Sequence, residues 1–343
     1  MSFKPSSKVL KLSSTKHSLR LHSINLNMTQ TYHSDITSNP TSTADLALIK
    51  RIANNLLERC AIPYAVIPFD QELYDISKEV LSSDFLLPSS VYPWFSKYLS
   101  VGVIIATTSY SHIPYRARVH VATYTGCATA LDDVFKTNPE HMGGFNERFI
   151  KGLPQDDPIL EAFAKILLET SKYYGRTQSA LIVTSTLDFV TSLSIDLEIP
   201  RVTDVSEFSS FAAYCRSLSG VSVAYAMFIF TEDVPLATYL PCLTHMSTYI
   251  NSMNDVLSFY KEELDAEEDN FASMLAKGAS ITRYEAVQRL ADDVADADER
   301  ILKALEEHQP ALDGWKSFRS GYVYFHTSCP RYKLDEVFGE LYA

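Results

Sequence analysis

NDVLSFYKE, residues 254–262, places an amide, a hydroxyl and a carboxylate at Asn254, Ser258 and Glu262, in steps of four. Residues four apart lie on one face of a helix. Three oxygen ligands in a line suit Mg²⁺ better than a metal that prefers thiolates. We therefore predict a helix with a magnesium site on one face, and we call these three residues the N/S/E row. For any single pair of them, an ordinary polar surface position is the alternative.

The composition allows a large interior that is rich in aromatic side chains. The chain has 343 residues, 46% of them hydrophobic, with 20 Tyr and 18 Phe. This length fits about two domains or one large helical domain. The net charge of −12 argues against a nucleic-acid partner. Five cysteines without a CxxC pair argue against a disulfide framework or a zinc site, so we expect a reduced, cytoplasmic protein.

The N-terminal segment, residues 1–43, differs from the rest of the chain. It is rich in Ser, Thr and Asn, carries several Lys, and has no acidic residue before Asp35. We expect a disordered extension that takes no part in the fold. A basic, Ser-rich N-terminus that lacks acidic residues is also typical of an organelle transit peptide, so targeting is the alternative.

From residue 44 onward the hydrophobic pattern is helical. Leu46, Ile49, Ala53, Leu56 and Cys60 form one stripe, and further helical spacings follow over residues 158–175, 178–196 and 206–230. No strand-like alternation is sustained, and neither a Rossmann fingerprint nor a P-loop is present. The densest apolar run, residues 221–230, is too short to cross a membrane. The pattern predicts one all-helical domain, residues 44–343, around a central cavity.

A second candidate site is Asp132-Asp133, which follows a run of small and apolar residues at 124–131. Two carboxylates at the end of an apolar helix are costly unless they are paired or bind a metal. A solvated acidic pair is the alternative. The literal DDxxD match at residues 292–296 is rejected, because it lies in a strongly acidic helical segment and follows the N/S/E row.

Two basic motifs flank the row in the sequence. Arg216 is a lone cation in a weakly charged helical segment, where it needs an anion; a structural carboxylate is the alternative partner. Arg331-Tyr332 follows Pro330 and offers a guanidinium and a hydroxyl that could close over an anion.

The pattern N-D-x-x-S-x-x-x-E resembles the second metal motif of class I terpene synthases, and its continuation is similar to the fungal trichodiene synthase group. The resemblance covers residues 90–335. It implies that Asp132 is a metal ligand with Asp133 as its support, facing the N/S/E row. The closing carboxylate of the family motif is replaced by Lys136, so nothing carries over to that position, and a salt bridge between Lys136 and Asp133 is left open.

The resemblance also assigns residues to the diphosphate and to the hydrocarbon. Arg216 would sense pyrophosphate, Gly220 would mark a helix break beside it, and Lys261, Arg331 and Tyr332 would add donors as the site closes. The expected pocket residues are Tyr124, Ala128, Gly220, Tyr225, Phe228 and Tyr249. For each aromatic residue, ordinary core packing is the alternative.

The function that the resemblance implies is a sesquiterpene cyclase of secondary metabolism. It would ionise farnesyl diphosphate with three Mg²⁺ ions, cyclise the allylic cation and release pyrophosphate, as a carbon–oxygen lyase acting on phosphates. We expect a prenyl diphosphate as the only partner, with no nucleic acid and no membrane, and a homodimer is left open. The alternatives are a cyclase for geranyl or geranylgeranyl diphosphate, or a helical binding protein that kept the fold without turnover.

Overall fold

The computed structural model describes residues 43–135, 139, 143–198, 209–267 and 270–339. All of these belong to one compact unit, Asn39–Ala343. The predictions about the N-terminal extension up to residue 42 and about Lys136 lie outside the described residues.

The described part of the chain is helical and contains no strand, so the predicted all-α fold class is confirmed. Fifteen α-helices are described: α1 Thr43–Arg59, α2 Gln71–Ser83, α3 Tyr92–Thr108, α4 Tyr115–Phe135, α5 Phe145–Ile150, α6 Pro158–Glu169, α7 Arg176–Glu198, α8 Ser209–Ser219, α9 Ser222–Phe228, α10 Leu236–Tyr239, α11 Leu243–Leu264, α12 Phe271–Ala279, α13 Arg283–Leu305, α14 Gln309–Ser328 and α15 Leu334–Phe338. Short 3₁₀ turns join some of them, including Pro330–Tyr332.

Local sequence signals explain where several helices begin and end. Asp157 caps α6 by accepting hydrogen bonds from the backbone of Ile159 and Leu160, with Pro158 in the first turn. The helical spacing predicted up to residue 175 ends earlier, since α6 stops at Glu169 and a 3₁₀ turn follows. The segment predicted as continuous over 206–230 is broken between α8 and α9.

The core-facing side of each long helix is strongly apolar. In α1, the predicted stripe is buried from Ile49 to Cys60. Helices α3 and α4 approach closely because Gly102 has no side chain: a Cβ there would lie 2.0 Å from the carbonyl oxygen of Ala122. This close packing fixes α4, whose C-terminal end carries Asp132 and Asp133.

Helix α7 is long and apolar enough to cross a membrane by length and composition, which the sequence search did not single out. A single such helix is weak evidence, because core helices of soluble proteins pass the same test. Its polar side chains have partners inside the bundle: Gln178 donates to the carbonyl oxygens of Met227 and Phe230 at 2.5 and 2.6 Å. These contacts join α7 to the α9 region beside the candidate site.

Candidate active site

The N/S/E row lies on one face of α11, as the spacing predicted. The Ser258 hydroxyl donates a hydrogen bond to Glu262 Oε1 at 2.5 Å. The opposite face of the helix is buried in the core through residues such as Val256 and Phe259. Burial raises the pKa of Glu262 to about 7, and the hydrogen bond from Ser258 opposes that rise. The carboxylate is therefore costly to keep charged in the metal-free protein.

Arg216 of α8 docks onto the same stretch of α11. Its guanidinium forms an ion pair with Asp255, at 2.8 Å from Nη2 to Oδ1 and 3.0 Å from Nε to Oδ2. It also donates to the Asn251 carbonyl oxygen at 3.1 Å and to Asn254 Oδ1 at 3.3 Å. Burial alone would lower the pKa of Arg216, but Asp255 raises it above its usual value. The cation thus has a structural carboxylate and touches the N/S/E row as well.

The break after α8 is shaped by its neighbour on α11. A Cβ on Gly220 would lie 1.9 Å from Asn251 Oδ1, so any larger residue here would require the Asn251 side chain to move. The next residue, Val221, has a φ of 49°, a left-handed conformation that is strained for a β-branched side chain. The predicted helix break at Gly220 is therefore present, four residues from Arg216.

The side-chain amide of Asn254 also reaches α14 and the turn after it. Asn254 Nδ2 lies 3.2 Å from His326 Nε2 and 3.5 Å from the hydroxyl oxygen of Tyr332. His326 Nδ1 lies 2.7 Å from the carbonyl oxygen of Tyr322. Burial lowers the pKa of His326 to about 4, so its imidazole is neutral. The sequence analysis missed His326, although a lone histidine shortly before Arg331 was a signal that could have found it.

The Asp-Asp wall, Asp132 and Asp133, ends α4. The guanidinium of Arg331 donates two hydrogen bonds to Asp133, at 2.8 Å to Oδ1 and 2.9 Å to Oδ2. Burial alone would raise the pKa of Asp133, but Arg331 lowers it below its usual value, helped by Lys97 and Lys261. Lys136 lies outside the described residues, so the open question of its salt bridge stays open. Asp133 has Arg331 as a partner in any case.

Two further predicted residues, Asp132 and Lys261, lie within electrostatic reach of the residues described above. Asp132 is exposed and close enough to add to the raised pKa values of Arg331 and Tyr225. Lys261 is near enough to Glu262 to lower the pKa of that carboxyl, as it does for Asp133. A cation thus stands within electrostatic reach of both the N/S/E row and the Asp-Asp wall.

Three predicted pocket aromatics form a cluster that we call the aromatic cluster, made of Tyr124, Tyr225 and Phe228. The ring of Tyr124 lies 4.9 Å from Phe228 and 6.1 Å from Tyr225, both edge-to-face. Ala128, one turn after Tyr124, is buried on the same helix. Tyr124 shares a hydrogen bond of 2.7 Å with Thr186, and Tyr225 donates to Thr125 at 3.2 Å.

Tyr249 is not brought to this cluster. Its hydroxyl donates to the carbonyl oxygen of Arg319 at 3.0 Å, and its ring packs edge-to-face on Trp315 at 5.0 Å. Its side chain therefore packs against α14 at Arg319 and Trp315.

The acidic segment that was rejected as a metal motif lies on α13. Asp292 and Asp296 are exposed and form ion pairs with Arg59 of α1 at 2.5 and 3.4 Å. Asp298 differs from the expected solvated face, because it is buried and accepts from Trp315 Nε1 at 3.0 Å and from Arg319.

The donors of the N/S/E row fit a hard cation. Among the described residues, no group of three His, Cys, Asp or Glu side chains is placed to hold a metal. The row instead combines one carboxylate with an amide and a hydroxyl, all of them oxygen ligands. A divalent cation at Glu262 would also offset the burial that raises the pKa of this carboxyl.

An all-helical bundle with an Asn/Ser/Glu row, an Asp-Asp helix end and an Arg-Tyr turn defines a class I terpene synthase. The family model for trichodiene synthase (TRI5) matches residues 96–342, and the chain belongs to that family. The resemblance stated from the sequence is thereby confirmed.

Curated relatives and a solved structure agree with this family. The chain is 38% identical over 296 residues to alpha-cuprenene synthase COP6 of Coprinopsis cinerea, covering 84% of this chain and 90% of that protein. It is 29% identical over 310 residues to monoterpene synthase 25 of Postia placenta, covering 89% and 91%. The linalool/nerolidol synthase structure from Streptomyces clavuligerus has a TM-score of 0.59 at 17% identity, covering 77% of this chain and 98% of that one, and shows the fold alone.

Proposed function

We propose that this terpene synthase ionises farnesyl diphosphate in a Mg²⁺-dependent reaction, cyclises the resulting cation and releases pyrophosphate, as a carbon–oxygen lyase. The observation that carries the proposal is convergence: Arg216 and Tyr332 are distant from each other and from Asn254 in sequence, yet both reach the side-chain amide of Asn254 in the N/S/E row. Residues that recognise a metal and an anion thus surround one point.

Asn254, Ser258 and Glu262 on one side and Asp132 on the other would hold the Mg²⁺ ions, three in number by analogy with the family. When bound, the ions would supply charge stabilisation for the departing pyrophosphate. Burial of the row supports this role, because electrostatic interactions are stronger away from water.

Four protein donors would bind the diphosphate directly: Arg216, Lys261, Arg331 and Tyr332. Both terminal nitrogens of Arg331, Nη1 and Nη2, donate hydrogen bonds to Asp133. To contact pyrophosphate, Arg331 would have to share these donors with the ligand or leave Asp133. The Tyr332 hydroxyl already lies 3.5 Å from Asn254 Nδ2, beside the row. Arg331 and Tyr332 therefore already lie beside the proposed metal-binding residues, and closure of the site over an anion would need only a local rearrangement of their contacts.

The hydrocarbon end of the substrate would lie against the aromatic cluster. Aromatic faces stabilise nearby cations and exclude water that would quench them. The hydroxyls of Tyr124 and Tyr225 are engaged with threonine hydroxyls, which holds the rings in place and keeps these oxygens from attacking a cation. We keep Tyr249 outside this pocket, since its side chain faces Trp315.

A shorter substrate is the second candidate, because one relative that spans nearly the whole chain is called a monoterpene synthase. The same catalytic residues would then act on geranyl diphosphate, and the aromatic cluster would hold a shorter hydrocarbon. Geranylgeranyl diphosphate is a further alternative in chain length.

The test is a gas-chromatography product assay of purified protein with farnesyl, geranyl and geranylgeranyl diphosphate, each with Mg²⁺ and with EDTA. We expect a cyclic sesquiterpene from farnesyl diphosphate that disappears with EDTA. Products from geranyl diphosphate alone would replace the proposed substrate. No product from any of the three would support a binding protein that kept the fold.

A further inference from the structure

We propose that His326 is a positioning residue that fixes which way the side-chain amide of Asn254 points, so that Oδ1 and not the NH₂ group faces the metal and diphosphate. This inference rests on the proposed function, because it treats Asn254 as a metal ligand. It concerns a residue that the sequence analysis did not identify.

A backbone carbonyl determines which ring nitrogen of His326 carries the proton. The carbonyl oxygen of Tyr322 accepts hydrogen bonds and cannot donate them, and His326 Nδ1 lies 2.7 Å from it. Nδ1 must therefore carry the proton. In a neutral imidazole this leaves Nε2 with a lone pair, which can only accept.

The unprotonated Nε2 of His326 in turn determines the orientation of the Asn254 amide. Its side-chain atom 3.2 Å from His326 Nε2 must be a donor, and the amide NH₂ group is the one that can donate. The NH₂ group is thereby held against α14. The carbonyl oxygen of the amide is directed to the other side.

Arg216, on the other side of Asn254, requires the same orientation of the amide. Arg216 has only donors, and it lies 3.3 Å from Asn254 Oδ1. Asp255 holds Arg216 in place by an ion pair. Two independent neighbours, an acceptor on α14 and a donor on α8, thus demand the same orientation of one amide.

Among the three members of the row, only Asn254 needs such control. Both oxygens of the Glu262 carboxylate can bind a cation, and the Ser258 hydroxyl can rotate. An amide turned by 180° would instead present its NH₂ group to the metal. Supporting hydrogen bonds of this kind usually affect metal affinity by about 10- to 100-fold.

The packing around His326 keeps its ring from turning. Its ring lies 4.4 Å from Tyr332 and 4.8 Å from Tyr322, and it is fully buried. Since Asn254 occupies Nε2 and the Tyr322 carbonyl occupies Nδ1, neither nitrogen is free to take a proton from a substrate. The geometry assigns His326 a supporting role and not that of a general base.

The first test is ¹⁵N NMR of the metal-free protein with labelled histidine, with the His326 signals identified from their loss in His326→Gln. We expect the neutral form protonated at Nδ1, the reverse of the form that prevails for free imidazole side chains. A ring protonated at Nε2 would overturn the proposal. This measurement does not depend on catalytic activity.

The second test measures Mn²⁺ binding by calorimetry in the presence of inorganic pyrophosphate. His326→Leu removes the acceptor and should weaken binding by about 10- to 100-fold. His326→Gln keeps an acceptor oxygen near the position of Nε2 and should stay within about threefold of wild type. His120→Leu is the control: it removes another buried histidine, which contacts Thr170 at 3.3 Å, and should leave Mn²⁺ binding unchanged.

A double variant separates orientation from mere packing. Asn254→Asp supplies two equivalent oxygens that need no orientation, so it should restore Mn²⁺ binding to His326→Leu. A merely structural role for His326 would not be rescued in this way. Equal binding by wild type and a folded His326→Leu would refute the inference. If His326→Leu fails to fold, His326→Gln and the NMR result decide, and if wild type binds no Mn²⁺, the proposed function fails while the NMR result still stands.

Discussion

The two metal-binding walls proposed for this site differ in how they are built. The N/S/E row lies in the C-terminal half of α11, half-buried, with Asn254 held by Arg216 on one side and by His326 on the other. The Asp-Asp wall ends α4, with Asp132 exposed and Asp133 bound to Arg331. One wall is fixed by neighbouring helices, and the other sits at a helix end with a partner that can be exchanged.

This difference has an energetic consequence. Burial raises the pKa of Glu262 to about 7, so the row is destabilising in the absence of a cation. Arg331 lowers the pKa of Asp133, so the negative charge of this one carboxylate is already compensated by the protein. A cation would therefore relieve an unfavourable charge in the row, whereas at the Asp-Asp wall Asp133 already has a cationic partner and Asp132 is the proposed ligand.

The largest effects are expected from the row. Asn254→Ala, Ser258→Ala and Glu262→Ala should each lower turnover by about 10²- to 10³-fold, because each removes a ligand from a buried site. Circular dichroism should show the fold intact, since little core volume is lost. Normal product yield from Glu262→Ala would remove the metal assignment.

A smaller loss is expected at the Asp-Asp wall. Asp132→Asn should lower turnover about tenfold, because Asp132 is exposed and a charge near water is worth less to a bound cation than one in a buried site. Asp292→Asn is the matched control, an exposed aspartate paired with Arg59 in the rejected DDxxD segment, and it should leave turnover unchanged. Steady-state kinetics with farnesyl diphosphate compare the two, and a larger loss from Asp292→Asn would reverse the choice of motif.

The stability of the metal-free protein should report the burial of Glu262. Its folded-state pKa of about 7 lies above the usual value of 4.5. Between these two pH values the native state keeps a proton that the unfolded state has lost, so the free energy of unfolding falls as pH rises through 7. Between pH 6 and pH 8 this group should account for about 1 kcal/mol of lost stability. Urea unfolding in EDTA should show this pH dependence reduced in Glu262→Gln and unchanged in Asp132→Asn.

The smallest effect is expected at Lys136, which replaces the closing carboxylate of the Asp-Asp motif. If Lys136 is only a neighbour of the metal site, Lys136→Asp should keep or raise turnover, because it restores an oxygen ligand. The same kinetic assay measures it. Complete loss of turnover would show that Lys136 has a role of its own.

Features that depend on local spacing were predictable from the sequence. The shared face of Asn254, Ser258 and Glu262 follows from helical geometry alone, and so does the succession of helices. The break at Gly220 was expected from the family resemblance and not from local spacing, which predicted a continuous helical segment over 206–230, and the strained Val221 beside it was not expected.

Features that depend on how helices rotate against one another were not predictable. Asp133 meets Arg331 across 198 residues of sequence, and Arg216 meets Asp255 across 39. Tyr249 was expected in the pocket but faces Trp315, because its position on α11 lies away from the N/S/E row.

The sequence by itself therefore determined the all-α fold, the family and the oxygen donors on α11, because helical periodicity and motif spacing are local properties of the chain. Only the tertiary structure decided the partners of those donors. His326, Asp255 and Arg331 acquire their roles from the packing of α14, α11 and the Pro330–Tyr332 turn, since hydrogen bonds between distant residues depend on which faces the packed helices present to each other.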